Sequence, residues 1–132
     1  MKTFVDTSAL YALLDADDDN HLVAAAWFGE SVATPMEFLT HSYAVVETAA
    51  LVHHRLGAGG VRDLIDGLLP SLTVEYVDAA LHARATAAYL ASLARKVSFV
   101  DRVSFQLMRE AVLDQAFAFD RDFAHEGFAL VP

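Results

Sequence analysis

The chain has 132 residues, 55% hydrophobic and 20% charged, which supplies a core for one domain and is too apolar for disorder. It contains no cysteine, so disulfides, thiolate catalysis and cysteine-ligated zinc or iron–sulfur centres are excluded. Nine Lys and Arg against eighteen Asp and Glu leave a net charge of −9, the reverse of a surface that grips nucleic acid through its phosphates, unless divalent metal neutralises some of the acids.

In chain order, Thr3-Phe4-Val5 reads as a short buried strand that runs into Asp6, and Thr7 to Leu14 as a helix. A second helix is expected to start near Asp19 or Asn20 and to include Leu22, Val23 and Trp27. Phe38 to His41 is a candidate strand, followed by a long helix from Ser42 to Leu56 with Gly57 at the C-cap. Val61 to Leu69 is helical and stops at Pro70. Thr73 to Val77 is β-rich, and Asp78 then caps an Ala-rich helix to Leu93. Ser98 opens a helix through Met108 to Val112. Ala116 to Phe119 forms a strand ending in Asp120, and Phe128 to Val131 a last one.

Strands alternating with helices specify an α/β fold: a single domain over residues 1–132 with a parallel, twisted sheet of four to five strands and helices on both faces. The longest runs without Asp, Glu, Lys or Arg, Asn20 to Gly29 and Ala85 to Ala94, are far short of the roughly 20 apolar residues of a membrane span. Asp6 and Asp15 interrupt any secretory signal. A cytoplasmic protein with no membrane partner is expected.

In such a sheet, ligands bind outside the carboxyl ends of the strands, where Asp6 and Asp120 fall. Each could also be a simple helix or turn cap, and Ser98-Phe99-Val100-Asp101 has the form of a capping box. Glu47 cannot be an N-cap, because it lies about five residues into its helix. Its neighbours three and four residues away, Tyr43, Ala44, Ala50 and Leu51, offer no basic partner. It either faces solvent or points across the carboxyl edge, where it and Asp6 would need a cation between them. Two strand ends and two helices can thus bring four carboxylates to one edge, an all-oxygen set suited to Mg²⁺ or Mn²⁺.

With these residues placed, the sequence resembles the PIN-domain family, in particular its VapC-like toxin ribonucleases. The matching pieces are Phe4-Val5-Asp6-Thr7-Ser8-Ala9-Leu10, Val45-Val46-Glu47-Thr48, Ser98-Phe99-Val100-Asp101 and Phe117-Ala118-Phe119-Asp120-Arg121-Asp122-Phe123, in order along nearly the whole chain. The resemblance implies a metal-dependent endoribonuclease using Mg²⁺ or Mn²⁺, with Asp6, Glu47, Asp101 and Asp120 as the acidic quartet. It makes Asp122 an additional metal-ligating acid and Thr7 or Ser8 the hydroxyl that holds the first carboxylate. It further implies an RNA substrate, a homodimer and a silencing antitoxin. Two departures are visible: Ala118-Phe119 precede the fourth acid where many relatives have Thr or Ser, and Arg102 follows the third where many have a small residue.

Other patterns lead nowhere. Asp15 to Asn20 lacks the Gly and Glu of a calcium loop, and His53-His54 has no spaced partner for zinc. A receiver-like phospho-accepting module would need a lysine after a late strand, but the only lysines are Lys2 and Lys96. A PIN-like scaffold without catalysis is the remaining alternative. Arg95, Lys96, Arg102 and Arg121 lie near the acids in sequence, as substrate contacts or as solvated surface. The helix from Asp78 to Leu93, with Arg84 its only interior charge, and the Glu47 helix are both short of polar residues on their outer positions, and at least one of them is expected to pack against another chain, most simply a second copy.

Overall fold

Lys2–Val5 forms β1, and its β-branched and aromatic side chains are buried from Thr3 onward. The computed structural model describes all residues 1–132. Helices α1 (Thr7–Leu14) and α2 (His21–Ser31) follow, then β2 (Glu37–His41) and α3 (Ser42–Arg62). A single π-helical turn (Asp63–Leu68) and a 3₁₀ turn (Leu69–Ser71) lead to β3 (Thr73–Glu75). Next come α4 (Ala79–Ala91), a 3₁₀ turn (Leu93–Arg95), α5 (Phe99–Glu110), β4 (Gln115–Phe117), α6 (Asp122–His125) and β5 (Ala129–Val131).

All five strands are parallel, in the order β3-β2-β1-β4-β5. The central strand β1 pairs Phe4 with Leu39 of β2 and with Ala116 of β4. Because side chains alternate along a strand, Phe4, Leu39 and Ala116 face one side, against Phe105 and Met108 of α5 and Phe123 of α6. Val5, Phe38 and Phe117 face the other, against Ala9 and Leu10 of α1, Ala24 of α2, and Leu64 and Leu68. The sheet is covered on both sides, as its continuous apolar strands require. Helix α4 lies outside α5, with Leu81 and Ala85 against Val103.

The expected elements are present, with shifted ends. Gly57 does break α3, at φ 76°, but helical residues resume and run on to Arg62. The helix expected to reach Val112 stops at Glu110, and Val112 adopts a left-handed φ of 56°. Strand β4 ends at Phe117, two residues before the expected end, because the chain turns away through Ala118 and Phe119 to place Asp120. The segment after Asp120, expected as a turn, closes into the short helix α6.

Helix starts are fixed by local polar chemistry. Asp78 Oδ1 accepts the Leu81 N–H at 2.8 Å and Ser98 Oγ accepts the Asp101 N–H at 3.1 Å. At α3 the cap is less usual. His41, fully buried, accepts the Ala44 N–H on Nδ1 at 3.1 Å. That fixes its proton on Nε2, which donates to Ser104 Oγ at 2.8 Å, and Ser104 Oγ donates to the Val100 carbonyl at 3.1 Å. Burial lowers the His41 pKa to about 4, so the ring is neutral at ordinary pH. This chain of bonds ties the helix bearing Glu47 to the helix bearing Asp101.

Candidate active site

The order of strands reverses between β1 and β4, since the chain leaves β1 toward β2 on one side and returns to β4 on the other. Loops diverge there and leave a crevice at the carboxyl edge. Asp6 ends β1 in that crevice, 3% exposed. Its Oδ2 accepts the Ser8 N–H at 3.1 Å and the Ser8 hydroxyl at 2.6 Å, so it does cap α1. Ser8 Oγ also accepts the Phe119 N–H at 2.9 Å, and one hydroxyl therefore joins the end of β1 to the segment leaving β4. The hydroxyl on Asp6 is thus that of Ser8; Thr7 Oγ1 is buried without a hydrogen-bond partner.

Asp120 Oδ1 accepts the Asp122 N–H at 2.9 Å, and this turn brings both carboxylates to one corner. Asp101 sits in the first turn of α5. Its N–H is taken by Ser98, so the capping motif and a free carboxylate coexist at the same residue. Asp101, Asp120 and Asp122 each offer a carboxylate oxygen within 4.8 Å of the others. Asp6 lies behind them, and Glu47 is exposed on α3, outside that trio.

Electrostatics record the convergence. Asp101 is pushed up to about 8, first by burial and then by the negative charges of Asp6, Asp120 and Glu47. Asp6 is raised to about 6 by burial and by Asp120, against the lowering effect of the Ser8 bonds. No cation of the chain lies within salt-bridge distance of Asp6, Asp101 or Asp120. With their oxygens within 4.8 Å of one another the three carboxylates are close enough to converge on one hard divalent ion, and the donor set contains neither nitrogen nor sulfur. The residues fit such an ion.

Three nearby arginines are engaged elsewhere, on Glu126. Glu126, just past α6, accepts Arg102 at 2.9 Å, Arg95 at 3.2 Å and Arg109 at 2.7 Å. Arg102 is only 5% exposed and turns away from the acids, with its Nε and Nη2 unpartnered. Neither Glu126 nor the His41–Ser104 link was expected from the sequence. No local pattern marks Glu126, and His41 lacks the residue type of a usual cap. His53 and His54 are exposed, and the Asp15–Asn20 segment is a turn braced by its own carboxylates.

Comparison with known proteins places this geometry. The family model described as "PIN domain" matches residues 3–128. The 23S rRNA-specific endonuclease VapC20 of Mycobacterium tuberculosis, in strains CDC 1551 / Oshkosh and H37Rv, is 34% identical over 129 residues, 97% of this chain and 96% of that protein. The crystal structure of M. tuberculosis VapC20, described as a Sarcin-Ricin loop cleaving toxin, superposes with a TM-score of 0.86 at 32% identity, covering 96% of each chain. A match of this length leaves no place for a receiver-like module. With the five-stranded parallel sheet and the acidic edge at its switch point, it makes the chain a member of the PIN-domain family.

Proposed function

We propose that this protein is an endoribonuclease that cleaves RNA phosphodiester bonds with the help of Mg²⁺ or Mn²⁺ and acts as the toxin of a toxin–antitoxin pair. The observation that carries the reading is the carboxylate cluster at the β1–β4 crevice: Asp101, Asp120 and Asp122 within 4.8 Å, with Asp6 buried behind. By similarity to the VapC20 relatives, we assign the substrate to a loop of ribosomal RNA. A homodimer and a cytoplasmic location belong to the same proposal, as does catalysis by these acids rather than a silent scaffold.

Asp6, anchored by Ser8 on a central strand, is the most rigid ligand; Asp101 and Asp120 complete the oxygen set, with Asp122 beside them and Glu47 contributing charge from α3. A bound divalent ion supplies positive charge at the scissile phosphate and makes the attacking water more acidic. The chain's own work is to hold the oxygens at fixed spacing and to leave Asp101 largely protonated near neutral pH until a cation offsets the neighbouring charges. It also excludes its own cations, which would otherwise pair with the acids.

The test is cleavage of ribosomal RNA by the purified, antitoxin-free protein with Mg²⁺ or Mn²⁺, repeated with excess EDTA. Cleavage should stop with the chelator. Asp6→Asn and Asp101→Asn should each lower the rate by on the order of 100-fold or more, above the loss usual for residues that only support a ligand. Full activity in EDTA would sink the mechanism.

A further inference from the structure

Five of the nine Lys and Arg residues are held in ion pairs: Lys2 by Glu37, Arg84 by Glu110, and Arg95, Arg102 and Arg109 by Glu126. At the carboxyl edge only Lys96 and Arg121 are exposed and outside such a pair. Side chains therefore supply little phosphate neutralisation beyond that of a bound divalent ion, and contacts other than charge must add to the hold on a substrate.

The same edge carries aromatic rings. Tyr43 lies one turn before Glu47 on the same stripe of α3, and Phe99 opens α5 on a different face from Asp101; both rings are half-buried against Leu81, Ala85 and Val103, which leaves His82 as the exposed ring of this group. His82, exposed on the first turns of α4, stands between them, with ring centroids 5.8 Å from Tyr43 and 5.2 Å from Phe99. The Tyr43 hydroxyl and His82 Nδ1 are 2.7 Å apart, which fixes the imidazole edge-on to the tyrosine. Tyr76 follows β3 and is 82% exposed. Its neighbour Val77 donates its N–H to Ser42 Oγ at 2.9 Å, so this tyrosine is held beside the start of α3. Tyr43 and Tyr76 follow the carboxyl ends of β2 and β3, the two strands on one side of β1 and its Asp6. Two strand spacings of about 4.8 Å are comparable to a step of one to two nucleotides.

We infer that this rim, with His82 and Tyr76 outermost, is a stacking platform for unpaired bases of the RNA next to the scissile bond. The inference rests on the ribonuclease reading above and names how its substrate is held. Ring faces accept any base that is splayed from its stack and none that is paired, so the platform selects loops and single strands over duplex.

The test is equilibrium binding of a short unpaired oligoribonucleotide with a single 2-aminopurine moved through successive positions, on the Asp6→Asn background to prevent cutting. Stacking quenches the fluorophore. Expected are quenching at one or two adjacent positions and weakening by His82→Ala or Tyr76→Ala of about 5- to 150-fold, the range of one stacked base. His82→Phe should retain affinity. The plot of log affinity against log salt should slope near −1.4, about 0.7 for each of two phosphate contacts. Both side chains are exposed, so melting temperatures report any loss of fold separately. The inference is overturned if both alanine variants bind like the parent, if His82→Phe is as weak as His82→Ala, or if the salt slope is steeper than about −4. Quenching without cleavage by the unmutated protein in Mg²⁺ would strike the ribonuclease reading and leave the platform standing. Cleavage with no effect of the rings would strike the platform alone.

Discussion

Asp101→Asn should stabilise the metal-free protein at neutral and alkaline pH, although it removes a residue of the proposed active site. The Asp101 carboxyl is raised from 3.8 to about 8 by burial and by Asp6, Asp120 and Glu47. The folded state therefore holds a proton that the unfolded chain gives up, and its stability falls as pH rises from about 4 to about 8. At pH 7 the full shift corresponds to a ceiling of about 4 kcal/mol. Asp101 keeps some contact with solvent, so a loss of about 1–2 kcal/mol is the working expectation after screening. Asparagine carries no charge and should recover that amount at pH 7–8, and almost nothing at pH 4. Urea unfolding in EDTA at several pH values measures the difference directly. Saturating Mg²⁺ should reverse the order, since an ion at 100 times its Kd adds about 2.7 kcal/mol to the protein that binds it. If Asp101→Asn is destabilising in EDTA at pH 8, or equally stabilising at pH 4 and pH 8, the carboxylates are not crowded and the reasoning fails.

Ser8→Ala removes the hydroxyl shared by Asp6 and the Phe119 N–H, and should reduce metal affinity or RNA cleavage by about 10- to 100-fold; Ser8→Thr should recover part of it, as metal titration will show. Glu126→Ala leaves Arg102 buried without its counter-charge and should cost about 3–5 kcal/mol in chemical denaturation, where a loss under about 1 would refute the anchor. Val112→Gly should raise stability by about 1 kcal/mol, because a β-branched residue occupies a left-handed position past the end of α5, and a lower melting temperature would contradict it.

The order of elements and the acidic edge were legible because they rest on short-range signals. Strand runs ending in Asp6 and near Asp120, the Ser98 motif and Gly57 all lie within a few residues of what they control. Asp101 looked like a cap and is next to one: the sequence pattern identified Ser98 correctly and could not say where the carboxylate points. The departures at Ala118-Phe119 and Arg102 are explained by distant partners. Ser8 supplies a hydroxyl to the Phe119 N–H, and Glu126 draws Arg102 away. Such links join residues far apart in the chain, and no periodicity encodes them. Glu47 remained two-sided in the sequence for the same reason, since its exposure depends on how α3 lies against α5. Helix α4 shows the Ala-rich outer face expected of it, with Leu90 exposed.

The shared Ser8 hydroxyl also bears on when the acidic edge can be completed. It joins residues 111 apart, and the Thr3–Gln115 bond toward the amino end of the same strand pair spans 112. β1 is made first and waits unpaired on one side until β4 emerges near the end of synthesis. Contacts of such separation close late and slowly, after local helices and the β1–β2 pair have formed. The acidic edge is therefore expected to close late, because a chain that ends before β4 carries Asp6, Glu47 and Asp101 without Asp120 and Asp122.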